Sequence, residues 1–82
     1  MGVQTMFSSL ITRAVKAELA RRGEDGLALI APLSLSRNSV YARLREEKPF
    51  STDEIAQIAD FLGIAPEDLV ASAMPAQKKP AA

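Results

Sequence analysis

Residues 29–44, LIAPLSLSRNSVYARL, constrain what this chain can fold into more than any other stretch. Leu29, Ile30 and Leu33 share one face of a short helix, Leu35 falls in a turn, and Val40 and Leu44 share one face of a second helix. Pinning two helices together through those six side chains leaves the opposite face of the second one free. At about 100° per residue that face carries Asn38, Tyr41, Ala42 and Arg45, flanked by Ser39, with Arg37 projecting from the first turn. Hydrogen-bonding side chains therefore crowd the N-terminal end of the second helix. That is the end which a helix-turn-helix protein inserts into the major groove of DNA.

A chain of 82 residues holds one small domain with one core. Its hydrophobic content of 48% with only 5% aromatic favours packed helices over sheets. Cysteine and histidine are both absent, which removes disulfides, thiolate nucleophiles, imidazole bases and the common zinc sites. No enzyme, catalytic residue, cofactor or metal is expected. Asp53, Glu54, Asp60, Glu67 and Asp68 read as caps and solvated charges. The formal net charge of zero hides a division that bears on DNA binding. Residues 1–50 carry eight basic and five acidic side chains, and residues 51–82 carry two basic and five acidic. The acidic half is expected to face away from DNA. No apolar run approaches the roughly 20 residues that span a bilayer, and the N-terminus lacks a secretory signal pattern.

Five helices are predicted. Residues 1–7 give no periodic signal and are expected to be a flexible start. The first helix begins at Ser8 or Ser9 and continues to Arg22, with Leu10, Ile11, Ala14, Val15 and Leu19 at helical spacing and Gly23 as its stop. Arg13, Lys16, Arg21 and Arg22 lie mostly off that stripe, as a solvated face or, for one or two of them, as phosphate contacts. Asp25 can cap a second helix over 26–33, which Pro32 in the final turn predicts to be short or bent. Ser34 stands in the turn where glycine is the easier residue, and signals a different turn geometry. Ser36 caps the third, recognition helix over 36–46, stopped by Lys48-Pro49. Ser51-Thr52-Asp53-Glu54 opens a fourth helix with Ile55, Ile58, Ala59 and Leu62 on one face and Gly63 as its stop. Pro66, Glu67 and Asp68 open a fifth, short helix carrying Leu69, Val70, Ala73 and Met74. The domain is thus expected over 8–74, and 75–82 as a disordered tail.

Leu29, Leu33, Leu35, Ser36-Arg37, Val40 and Leu44, with Pro49-Phe50 and the run DEIAQIADFLGI, together resemble the Xre or Cro/CI type of helix-turn-helix domain found in phage repressors and bacterial regulators. The resemblance covers residues 23–69 without a gap, and RLREEKPFSTDEIAQIADFLGIAPEDL is similar to members common in actinobacteria and their phages. It implies an all-α, five-helix, lambda-repressor-like fold and a cytoplasmic regulator in a bacterium or a phage-infected host. The chain departs from the family in having Ile30 for alanine, Ser34 for glycine, and Gly26 near a position often held by a contacting glutamine.

On this reading Arg37 is suited to bidentate contact with guanine and Asn38 with adenine, while Ser36 and Ser39 can reach phosphate or base. Ala42 lets the helix approach, and Tyr41 lies further along the same face. Arg43, Arg45 and Lys48 are assigned to phosphate, the alternative being surface pairing with Glu46 or Glu47. A homodimer on a palindromic operator is expected, through Leu69, Val70, Ala73 and Met74, with Phe61; residues 1–7 are the second candidate surface. Phe61 and Leu69 could instead complete the core. The chain reads as a complete Cro-sized protein or as a DNA-binding fragment. The rival functions are an antitoxin that binds its own operator and a protein toxin, and a protein-interaction module that has lost DNA binding.

Overall fold

The computed structural model describes residues 3–73, with side chains from Phe7 onward. Among them the chain is all-α: α1 spans Val3–Arg21, a 3₁₀ turn Gly26–Leu29 runs directly into α2 Ile30–Leu33, and α3 Arg37–Leu44, α4 Thr52–Leu62 and α5 Pro66–Ala73 follow. No described helix is long and apolar enough to cross a membrane.

The first helix starts at Val3, so part of the expected flexible start is helical backbone. Nothing between Val3 and Arg22 is a proline or glycine, and two serines do not break a helix. The second predicted helix is divided. Asp25 does cap it, accepting a hydrogen bond from the Leu27 N–H at 3.0 Å, but the first turn is 3₁₀. Pro32 has no N–H to give to the Ala28 carbonyl four residues back, and only α2, one turn long, closes with α geometry. The third helix is tighter than predicted, ending at Leu44 with Arg45 as its C-cap.

Leu29, Leu33, Val40 and Leu44 are buried as the pattern requires, with Ile30 and Leu35 packed half-buried against them. They join Ile11, Val15 and Leu19 from α1, Phe50, Ile58 and Leu62 around α4, and Leu69 from α5 in one core. Each fully buried aliphatic side chain contributes about 1.5–3 kcal/mol. Here α1 packs along α5 and against α3, α2 packs on α4, and the 3₁₀ turn packs on α3. The limb that runs from the 3₁₀ turn to α3 is thereby held by the scaffold of α1, α4 and α5.

α1 also supplies cations to the ends of two other helices. The Lys16 ammonium donates to the Leu44 carbonyl at 3.2 Å and the Arg22 guanidinium to the Leu62 carbonyl at 2.9 Å. A positive group at a helix C-terminus meets carbonyls without intrahelical partners and the negative end of the dipole. Lys16 and Arg22 are thus tertiary caps on α3 and α4, a role absent from the two alternatives that sequence offered.

Candidate nucleic-acid interface

The first turn of α3 concentrates the polar side chains. Ser36 has extended backbone (φ −70°, ψ 161°) and its hydroxyl accepts from the Ser39 N–H at 3.1 Å. That bond closes the start of the helix. The same hydroxyl lies 3.1 Å from the Ser39 hydroxyl, so the two serines brace each other. Arg37 and Asn38 are exposed beside them and make no side-chain hydrogen bond or ion pair to other described residues. Their donors and acceptors are open to a partner.

Further along, the predicted contact face separates into three kinds of residue. Ala42 is half-buried on the helix surface. Tyr41 is half-buried and turned back onto the 3₁₀ turn: a Cβ placed on Gly26 would lie 2.9 Å from its Cζ and 2.6 Å from Leu44 Cδ1. The absence of a side chain at position 26 is what admits the ring. Tyr41 therefore packs the limb together and leaves only part of its ring exposed.

Arg43 departs from its predicted role. Its Nε donates to Glu54 Oε1 at 2.9 Å and its second terminal nitrogen to Oε2 at 3.3 Å, while its first terminal nitrogen donates to the Ser39 carbonyl at 3.0 Å. Both side chains are only 15% exposed. A guanidinium held at three points and largely covered is not available to clamp phosphate. Burial acts to raise the Glu54 carboxyl, but hydrogen bonds from Arg43 and the Ser51 N–H, with the nearby positive charge, outweigh it and hold it below the usual carboxylate range.

Arg45 pairs with Glu47 at 2.8 Å, and hydrogen bonds from Arg45 lower the Glu47 carboxyl. Both are exposed, so a competing phosphate can part them at little cost. Lys48 is exposed and makes no ion pair with described residues. The neighbouring Glu46 is occupied by α1, accepting from the Ser9 hydroxyl at 2.8 Å.

The predicted dimer surface also divides. Leu69 and Ala73 are 0% and 3% exposed and belong to the core, so they are corrected from the interface to the interior. Val70 is half-buried, Phe61 is 42% exposed, and Met74 lies outside the described residues. The expected tail over 75–82 lies outside them as well. Comparison with protein-family models, curated proteins and solved structures gave no match.

Proposed function

We propose that this chain is a sequence-specific double-stranded DNA-binding regulator that reads the major groove with the first turn of α3. The observation that carries the reading is the pair Arg37 and Asn38: both exposed, unengaged by described neighbours, and presented on a helix start that Ser36 and Ser39 brace. Arg37 suits guanine and Asn38 suits adenine, each bidentate pair contributing about 1–3 kcal/mol of discrimination. Lys48 and the weakly paired Arg45 supply phosphate contacts at the far end of the helix. The resemblance of residues 23–69 to the Cro/CI type of domain supports the same assignment and, with it, a cytoplasmic repressor of bacterial or phage origin. Useful affinity from so small a module calls for two copies on a palindrome, with the exposed Phe61 and the half-buried Val70 as the members of the predicted contact that remain at the surface among the described residues.

Selection of bound sequences from a pool of random duplexes tests this directly. A palindromic consensus is the expected result, and no enrichment at low salt would overturn the reading. With a consensus in hand, Arg37→Ala should relax preference at one base position. Lys48→Ala should weaken all sequences alike and reduce the salt slope by about 1.

A further inference from the structure

The link between α3 and α4 is made largely by side chains. α3 packs chiefly on the 3₁₀ turn and more lightly on α1, and its backbone approaches α4 less closely than it does the 3₁₀ turn. Across that gap lies one carboxylate with two duties. Glu54 Oε1 accepts from the Ser51 N–H at 2.9 Å, and the Ser51 hydroxyl accepts from the Glu54 N–H at 3.0 Å, so Glu54 closes the start of α4. The same carboxylate receives the fork of Arg43, whose remaining terminal nitrogen reaches the Ser39 carbonyl in the first turn of α3. A continuous set of bonds therefore runs from Ser51 through Glu54 and Arg43 to Ser39, which is braced to Ser36.

We propose that Arg43 and Glu54 are positioning residues that fix the rotation of α3 against α4 and thereby set base discrimination by Arg37 and Asn38. The inference rests on the DNA-reading role of α3. Two features of the pair make it suited to orientation. A planar guanidinium on a carboxylate fixes direction as well as distance, which a lysine ammonium does not. The partner is anchored, because Glu54 is part of a helix cap and cannot follow Arg43 without giving up its hydrogen bond from the Ser51 N–H.

The test uses the full chain as wild type, Arg43→Lys and Glu54→Gln, each titrated at two salt concentrations with the duplex that wild type selects and with a scrambled duplex. Lysine keeps the charge and loses the fork, whereas glutamine keeps the capping interaction with Ser51 and loses the charge pair. Both variants should lose about tenfold in preference for the selected duplex. Affinity for the scrambled duplex and its salt dependence should stay as in wild type. Retained preference in Arg43→Lys would overturn the proposal, since charge alone would then suffice. So would stronger binding of both duplexes by Glu54→Gln with an unchanged ratio, the signature of an Arg43 freed to hold phosphate. A fall in thermal stability with the preference intact would reduce the pair to a structural brace and overturn it too. If wild type selects no duplex, the DNA-reading role itself fails, a result distinct from variants that match a selective wild type.

Discussion

Four helices of this domain end in the same backbone pattern, but the scaffold and the limb from the 3₁₀ turn to α3 close it with different residues. After α1 and α4 the left-handed position is glycine: Gly23 at φ 71° and Gly63 at φ 76°. After α2 and α3 it is Ser34 at φ 55° and Glu46 at φ 68°. In each case the next N–H reaches back five residues to a carbonyl, as in Glu24 to Leu19, Leu35 to Ile30, Glu47 to Ala42 and Ile64 to Ala59. A side chain in that conformation costs about 1 kcal/mol, which glycine avoids. The scaffold helices are thus closed by local preference. The limb is closed against it and must be held by neighbours: Lys16 on the Leu44 carbonyl, Ser9 on Glu46, and the packing of Leu33 and Leu35.

If limb and scaffold nevertheless form one cooperative unit, truncating the core on either side should have the same large effect. Leu29 in the limb and Ile58 in the scaffold are both wholly buried. Leu29→Ala and Ile58→Ala should each cost about 3 kcal/mol, read as a shift in the urea midpoint with unchanged slope. A reduced slope for Leu29→Ala alone would mean that the limb opens by itself, and would break the picture of a single core.

Gly26→Ala should follow, at about 2 kcal/mol, because the new methyl meets Leu44 Cδ1 at 2.6 Å and the Tyr41 ring at 2.9 Å. Gly23→Ala meets nothing within 4 Å and carries only the left-handed penalty of about 1 kcal/mol. Equal thermal shifts for the two would show that Tyr41 is free to leave Gly26, returning it to the contact face that the sequence pattern gave it.

That reassignment shows what a periodic pattern can and cannot carry. The apolar stripes of the helices, the Ser36 cap and the reciprocal cap of Ser51 and Glu54 were legible because each is a relation between residues within one or two turns. Arg43 with Glu54 spans 11 residues, Lys16 with the Leu44 carbonyl 28, and Arg22 with the Leu62 carbonyl 40. Such partners meet only once the helices are docked, and in sequence they look like ordinary surface charge. Tyr41 fell on the polar side of the wheel, but a long side chain can turn back, and the missing Cβ at Gly26 was the one local hint. Ser34 signalled a different turn geometry, whereas the turn keeps the left-handed form and the serine bears the strain.

Acid should separate the two regions by a smaller effect. Glu54 in the α3–α4 clamp and Glu18 on α1 both have lowered carboxyls; for Glu18 the hydrogen bond from Arg22 is the main cause, opposed by burial and aided by the charges of Arg21 and Arg22. A carboxylate lowered in the folded state binds fewer protons than in the unfolded one. Its stabilisation is complete above the unfolded value and is lost as pH falls through the folded value. Unfolding free energy should therefore be flat above about pH 5 and decline below it. Glu54→Gln and Glu18→Gln should each flatten part of that decline. Only Glu54→Gln should also change the amide chemical shifts of the first turn of α3 at neutral pH; the same change from Glu18→Gln would erase the distinction between clamp and scaffold.

The smallest effect isolates the strain itself. Ser34→Gly removes the left-handed penalty and loses no side-chain hydrogen bond among the described residues, but it adds conformational freedom to the unfolded chain. The two terms partly offset, leaving a net stabilisation of about 0.5 kcal/mol, or roughly 2–4 °C in the thermal midpoint for a domain this small. Glu46→Gly relieves the same kind of strain but gives up the bond from Ser9, so it should change the midpoint little. Neither should alter Arg37 or Asn38 directly. A stabilising Ser34→Gly that leaves base preference intact would mean that the strain is incidental to reading. Stabilisation accompanied by lost preference would mean that the tight turn at Ser34 helps to set the angle of the proposed docking of α3 in the groove.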